Sequence, residues 1–122
     1  MNVPQLMIVT LNCKGLRDAV KRRKIFYFLH TLSADIICLQ ETGVKPAEAR
    51  HWTDLWTGPA VWTEHAGILL ARSHSFKTHS SHHEGRLILA EVSVRGHTFQ
   101  VLNMYAVTAM EAVSPFVILQ GV

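Results

Sequence analysis

Cysteine is scarce in this sequence. There are two, Cys13 and Cys38, among 122 residues. Without a repeating spacing they exclude a disulfide scaffold. Long apolar runs are also missing, and none reaches the length that spans a bilayer. The opening stretch MNVPQLMIVTLNC has neither the basic start nor the long apolar core of a secretory signal. No internal repeat and no linker interrupts the chain. Charge runs out late: from Val101 to Val122 the only charged residue is Glu111. These absences lead us to expect an intracellular chain with reduced thiols and no membrane segment.

What is present is the mix of a packed core, with 48% apolar and 17% charged residues. A mass of 13.7 kDa fits one domain. Twelve Lys and Arg against nine Asp and Glu leave a net charge of +3. That mild basicity is compatible with a polyanionic partner.

Gln5–Cys13 (QLMIVTLNC) is apolar and rich in β-branched residues, which predicts a buried strand. Lys14 and Gly15 break it. Asp18 can cap a helix from Ala19 to about Leu32. Ile25, Phe28, Leu29 and Leu32 recur at helical spacing and are expected to face a sheet. Asp35–Gln40 (DIICLQ) reads as a second strand. Strand, helix and strand in this compass form a βαβ unit with parallel strands. Pro46 suits the first turn of a short helix running to about Leu55. Beyond Gly58-Pro59 the pattern is β: 60–65, 67–72, 76–82, 86–95 and 98–106. Arg95-Gly96-His97 predicts a tight hairpin turn. The stretch from Val113 to Val122 is apolar, which is unusual for an exposed tail.

Parallel strands bring their C-terminal ends side by side, and ligands of open α/β sheets gather there. Asn12 ends the first strand and Glu41 follows the second, with Lys14 and Arg17 close by. A hard divalent cation takes oxygen ligands, often one or two carboxylates completed by water and phosphate. Glu41 suits such an ion, and Asn12 can orient it or a bound phosphate. On spacing alone, the plainer alternative is a turn-capping Asn12 and a solvated Glu41.

The segment from Thr10 to Thr42 carries Leu11-Asn12-x-x-Gly15-Leu16 and then Leu39-Gln40-Glu41-Thr42. Farther on come Gly67-Ile68-Leu69-Leu70, Gly85-Arg86 and Leu102-Asn103-Met104-Tyr105-Ala106. In this order and spacing the chain resembles the endonuclease/exonuclease/phosphatase superfamily. Within it, the sequence looks most like the apurinic-endonuclease-like domain of LINE-type non-LTR retrotransposons. The resemblance covers roughly residues 5 to 107. It implies an α/β (α+β) fold: half of a four-layer sandwich, built as one mixed β-sheet with flanking helices. It implies two segments, the domain half at 1–107 and a divergent apolar tail at 108–122. It also implies Mg²⁺ or Mn²⁺ as cofactor and DNA as partner. Glu41 would hold the metal, Asn12 would join its polar network, and Tyr105 would aim its hydroxyl at the scissile phosphate. Lys14 and Arg17 would contact DNA phosphates weakly.

The sequence also departs from the pattern. Val107 and Thr108 stand where the family has Pro and Asn. The family's later Gly-Asp-x-Asn and Ser-Asp-His segments do not occur in this chain. Residues that act as a unit fail together, so the chain alone is expected to have little or no nuclease activity. With one sheet, an inner face would lie uncovered and drive self-association. The divergence after Ala106 fits a frame change or an early stop in a degraded element. The readings from other classes are a non-catalytic relic or interaction module, and a phosphatase of the same superfamily. As a working retrotransposon nuclease the protein would be nuclear.

The remaining chemistry-bearing residues read more plainly. Lys21-Arg22-Arg23-Lys24 is a solvated helix face able to touch DNA phosphate. His74, His79, His82 and His83 lie at loops and strand edges, without the fixed spacing of a zinc site. Trp52 and Trp56 are four apart on one helix face and belong to the core. Cys38 sits within a buried strand and is inert.

Overall fold

The computed structural model describes residues 5–105 and 116–121, the latter as backbone only. Strand β1 (Ile8–Asn12) is followed by helix α1 (Ala19–Thr31) and strand β2 (Ile36–Gln40). Asp18 caps α1 by accepting the Val20 N–H at 3.0 Å. A single 3₁₀ turn (Pro46–Glu48) leads into α2 (Ala49–Trp56). Then come β3 (Ala60–Trp62), β4 (Ala66–Leu70), β5 (Ser75–His82), β6 (Leu87–Val94), β7 (His97–Met104) and β8 (Phe116–Gly121). Arg95 and Gly96 have φ of 48° and 80° between the paired residues Val94 and His97. Two successive positive φ values are what a tight primed hairpin requires.

β1 and β2 are parallel, as a βαβ unit demands. The α+β class holds, but the expectation of one mixed sheet is corrected. There are two four-stranded sheets, ordered β1-β2-β4-β3 and β5-β6-β7-β8. β2 is buried along its whole length because it is sandwiched. Ile37 and Leu39 point to the helices and pack with Phe26, Leu29, Trp52 and Trp56. Ile36 and Cys38 point the other way and meet Ile88, Val92, Phe99 and Val101 of the second sheet. The inner face of the first sheet is therefore covered, and self-association through it has no basis. The alternation of burial along β6 and β7, with Ile88, Ala90, Val92, Val94, Phe99 and Val101 inward, is what one-sided packing produces. The boundary expected between residues 107 and 108 lies outside the described residues. The backbone of β8 pairs antiparallel with β7, from Met104↔Phe116 to Phe99↔Gly121.

α1 departs from its expected phase. Phe26, Leu29 and Arg22 are buried, whereas Phe28 is 52% exposed. Phe26 and Phe28 are two positions apart, so packing one turns the other outward. Arg22 is likewise not part of a solvated face. Its aliphatic stem runs inward, its guanidinium lies 4.8 Å over the Trp52 ring, and Nη1 donates to the Leu16 carbonyl at 2.9 Å.

At the end of the sheets where β2 begins, Asp35 joins four stretches of chain. It accepts from the Met7 N–H (2.9 Å) and from Arg95 Nη1 (2.9 Å), and His74 Nε2 lies 2.8 Å away. Burial pushes this carboxyl up, but the bonds from Met7, Arg95 and His74, with the Arg95 charge, outweigh it and hold it at about 2. A depressed carboxylate stabilises the fold above its unfolded value and loses that contribution as pH falls through the folded one. At neutral pH the contribution is on the order of 1–2 kcal/mol. Urea midpoints should therefore fall steeply between about pH 4 and pH 2, the window bounded by the two values. Asp35→Asn should start lower and respond less across the same window. Parallel pH curves for the two proteins would show that Asp35 does not clasp the sheets.

Candidate functional site

The chain leaves β1 and β2 at the same edge, and the two exits are stitched together. Cys13 N–H donates to Gln40 O at 2.8 Å, Gly15 N–H to Glu41 O at 2.7 Å, and Leu16 N–H to Thr42 O at 2.9 Å. Lys14 and Glu41 both adopt left-handed backbone, with φ of 52° and 57°. Such conformations are uncommon outside glycine and collect at functional sites. Around them opens a cleft of about 590 Å³.

Four of the five residues singled out from sequence line this cleft: Glu41, Lys14, Arg17 and Tyr105. Asn12 stands behind it. Its Oδ1 accepts the Lys14 N–H at 3.0 Å and so holds the turn that presents Lys14. Arg17 is braced by donating from Nε to Gly43 O at 3.2 Å. Tyr105 is placed by its own N–H, which donates to Arg86 O at 2.8 Å.

The structure adds residues to the cleft, among them Lys21, which the sequence placed only on a solvated basic helix face. Lys21 lines the cleft and donates to the carbonyls of Cys13 (2.8 Å) and Lys14 (3.2 Å). Glu64 and His65, at the entry to β4, complete the wall. The His65 ring stacks near Tyr105, with centroids 6.4 Å apart and planes at 29°. His65 O accepts the Thr42 N–H at 3.3 Å, which fixes this wall beside Glu41. Beneath the cleft, Gln40 and Asn103 are fully buried between the sheets. Asn103 Nδ2 donates to Leu39 O (3.1 Å) and Gly67 O (2.9 Å), which fixes the amide orientation. Its Oδ1 then accepts from Gln40 Nε2 at 2.9 Å, and Nε2 also donates to Thr10 Oγ1 at 2.9 Å. Their signal in the sequence is a polar residue on the inward phase of an apolar strand.

Both thiols are inert. Burial, opposed by Lys21 and reinforced by Glu41, pushes Cys13 up to about 12. Burial alone does the same for Cys38, also to about 12. Neither is a thiolate nucleophile at neutral pH. Trp52 and Trp56 are buried, as their spacing suggests. His79 and His82 lie on the exposed strand β5, while His74 is buried against Asp35. Among the described residues no group of three His, Cys, Asp or Glu could hold a metal ion. No helix among them is long and apolar enough to cross a membrane.

Three cations (Lys14, Arg17, Lys21) and three carboxylates (Asp18, Glu41, Glu64) line the cleft. Opposed charges of this kind suit a phosphate ester better than a bare ion. A divalent cation with few protein ligands fits when phosphate oxygens supply the rest.

The cleft thus opens where β1 and β2 end, at one edge of a two-sheet sandwich. Residues 9–107 match the Endonuclease/Exonuclease/phosphatase family, and the chain belongs to it. A relative from Xenopus laevis, the transposon TX1 uncharacterized 149 kDa protein, is 30% identical over 112 residues. That match takes in 84% of this chain and 8% of the transposon protein. Among solved structures, truncated Caenorhabditis elegans TDP2 superposes with a TM-score of 0.65 at 18% identity, covering 87% of this chain and 48% of that one. A humanized D. rerio TDP2 gives 0.58 at 21%, covering 76% and 46%. The chain thus spans about half of each solved domain, and these two likenesses concern the fold.

Proposed function

We propose that this chain is the N-terminal half of a Mg²⁺- or Mn²⁺-dependent DNA endonuclease site of retrotransposon type, working in the nucleus. The observation that carries this reading is the convergence of Glu41, Tyr105, Lys14 and Arg17 on one cleft from three distant stretches of sequence. Lys14 and Arg17 neutralise phosphates flanking the target, and Asn12 holds Lys14 in place through its turn. Tyr105 donates its hydroxyl to a phosphate oxygen. Glu41 would hold the cation, and Glu64 lines the same cleft. When bound, the ion neutralises charge developing on the phosphoryl group. The transposon relative supports DNA as the substrate class. The absence of Gly-Asp-x-Asn and Ser-Asp-His segments from this sequence supports binding without turnover by the chain alone.

The test combines fluorescence anisotropy with a short DNA duplex and nicking of supercoiled plasmid. Mg²⁺ should tighten duplex binding by wild type about tenfold, the worth of one charge-assisted contact. Glu41→Ala should lose that gain, and neither protein should nick. An equal metal effect on both proteins would remove Glu41 from the site. Nicking that Glu41→Ala abolishes would overturn the inactivity of the chain alone. Hydrolysis of an inositol phosphate, with no effect on DNA, would move the protein to the phosphatase branch.

A further inference from the structure

We infer that the outward face of α1 is a track for unpaired, single-stranded nucleic acid leading away from the cleft. This rests on the reading of the cleft as a nucleic-acid site. The outward face carries Lys21, Arg23 and Lys24, and the helix has no Asp or Glu. Among the described residues, neither Arg23 nor Lys24 makes an ion pair. Three of the five exposed large apolar residues among the described residues also lie on this helix: Val20, Tyr27 at 75% and Phe28 at 52%.

Single exposed apolar residues are ordinary. The arrangement is not. Lys21, Lys24 and Phe28 are spaced three and four residues apart, which is one line on a helical surface. That line begins at the cleft, because Lys21 is part of its wall. It runs about 10 Å from Lys21 to Phe28. Tyr27 flanks Lys24 on the other side. Cations beside open aromatic faces match a strand of phosphates and bases, and a ring can stack only on a base that is not already stacked in a duplex. An acidic protein would satisfy the cations but leaves both rings without a stated partner.

The experiment is anisotropy of the full chain with labelled oligothymidylate and with a duplex of equal length, in EDTA across a salt series. Tyr27→Ala and Phe28→Ala should each weaken single-strand binding about fivefold or more. Duplex binding and the salt slope should stay unchanged. Lys24→Gln should reduce the slope by about one. All three side chains are exposed, so thermal unfolding should not change. With EDTA present, the single-strand binding is read without the cleft's cation. That pattern separates the track from the cleft's metal chemistry: it would survive failure of the nuclease reading. Single-strand binding that ignores both ring substitutions overturns the inference. So does a self-association that the ring substitutions abolish while DNA binding persists, because the face would then belong to a second copy of the chain.

Discussion

Asn103→Ala is expected to destabilise the protein by about 3 kcal/mol or more, read as a lower urea midpoint. Asn103 is fully buried and makes three hydrogen bonds that cross from the second sheet to the first. Alanine removes all three and leaves Gln40 Nε2 and two buried carbonyls with less than they had. An unsatisfied buried group costs about 1–3 kcal/mol, against a total stability of about 5–15 kcal/mol. The penalty lies in stranded partners rather than in the lost bonds themselves. Replacing Gln40 and Asn103 together by leucine should therefore cost less than Asn103→Leu alone. A midpoint unchanged by Asn103→Ala would show that this bridge does not join the sheets. The site should feel the loss as well. Asn103 precedes Tyr105 by two residues and Gln40 precedes Glu41 by one, so loosening the bridge is expected to disturb both cleft residues.

Gly67→Ala should cost about 1–3 kcal/mol and lower the melting temperature by several degrees. A Cβ on Gly67 would lie 2.6 Å from Cε3 and 2.7 Å from Cζ3 of Trp62, its cross-strand partner. The ring cannot swing aside freely. It meets Trp52 edge-on at 5.5 Å, packs near Phe26 at 6.2 Å, and donates from Nε1 to Thr53 Oγ1 at 2.9 Å. The constraint on Gly67 is thus the indole laid across it. A melting temperature equal to wild type would mean that the ring gives way at no cost. Gly67 also supplies one of the carbonyls that Asn103 binds, so the two substitutions should not be additive.

Much of the site was legible before any coordinates. Parallel strands with a short helix between them must bring Asn12 and Glu41 to one edge, whatever the rest of the chain does. Tyr105 came from resemblance rather than from spacing, because no local pattern links residue 105 to residue 41. Gln40 and Asn103 were visible only as polar letters in apolar strands. Their bond needs two sheets face to face, and the register of each strand decides which polar residues meet. Glu64 and His65 were missed, and Lys21 was read only as part of a solvated basic face, for the same reason: lining a cleft is a property of packing between distant segments.

Local residue chemistry sufficed for the strand and helix order, the Asp18 cap, the Arg95-Gly96 turn and the parallel βαβ unit. Each depends on steric and hydrogen-bonding preferences within a few residues. Tertiary structure alone decided that β3 and β4 join the first sheet while β5–β8 form a second one, and so that the inner face is covered. It also chose Phe26 over Phe28 for the core and drew Arg22 under Trp52. Both phenylalanines are equally apolar, and an arginine stem packs as readily as it extends into water. Such choices follow from which surface lies opposite, and that surface is brought there by residues far away in the chain.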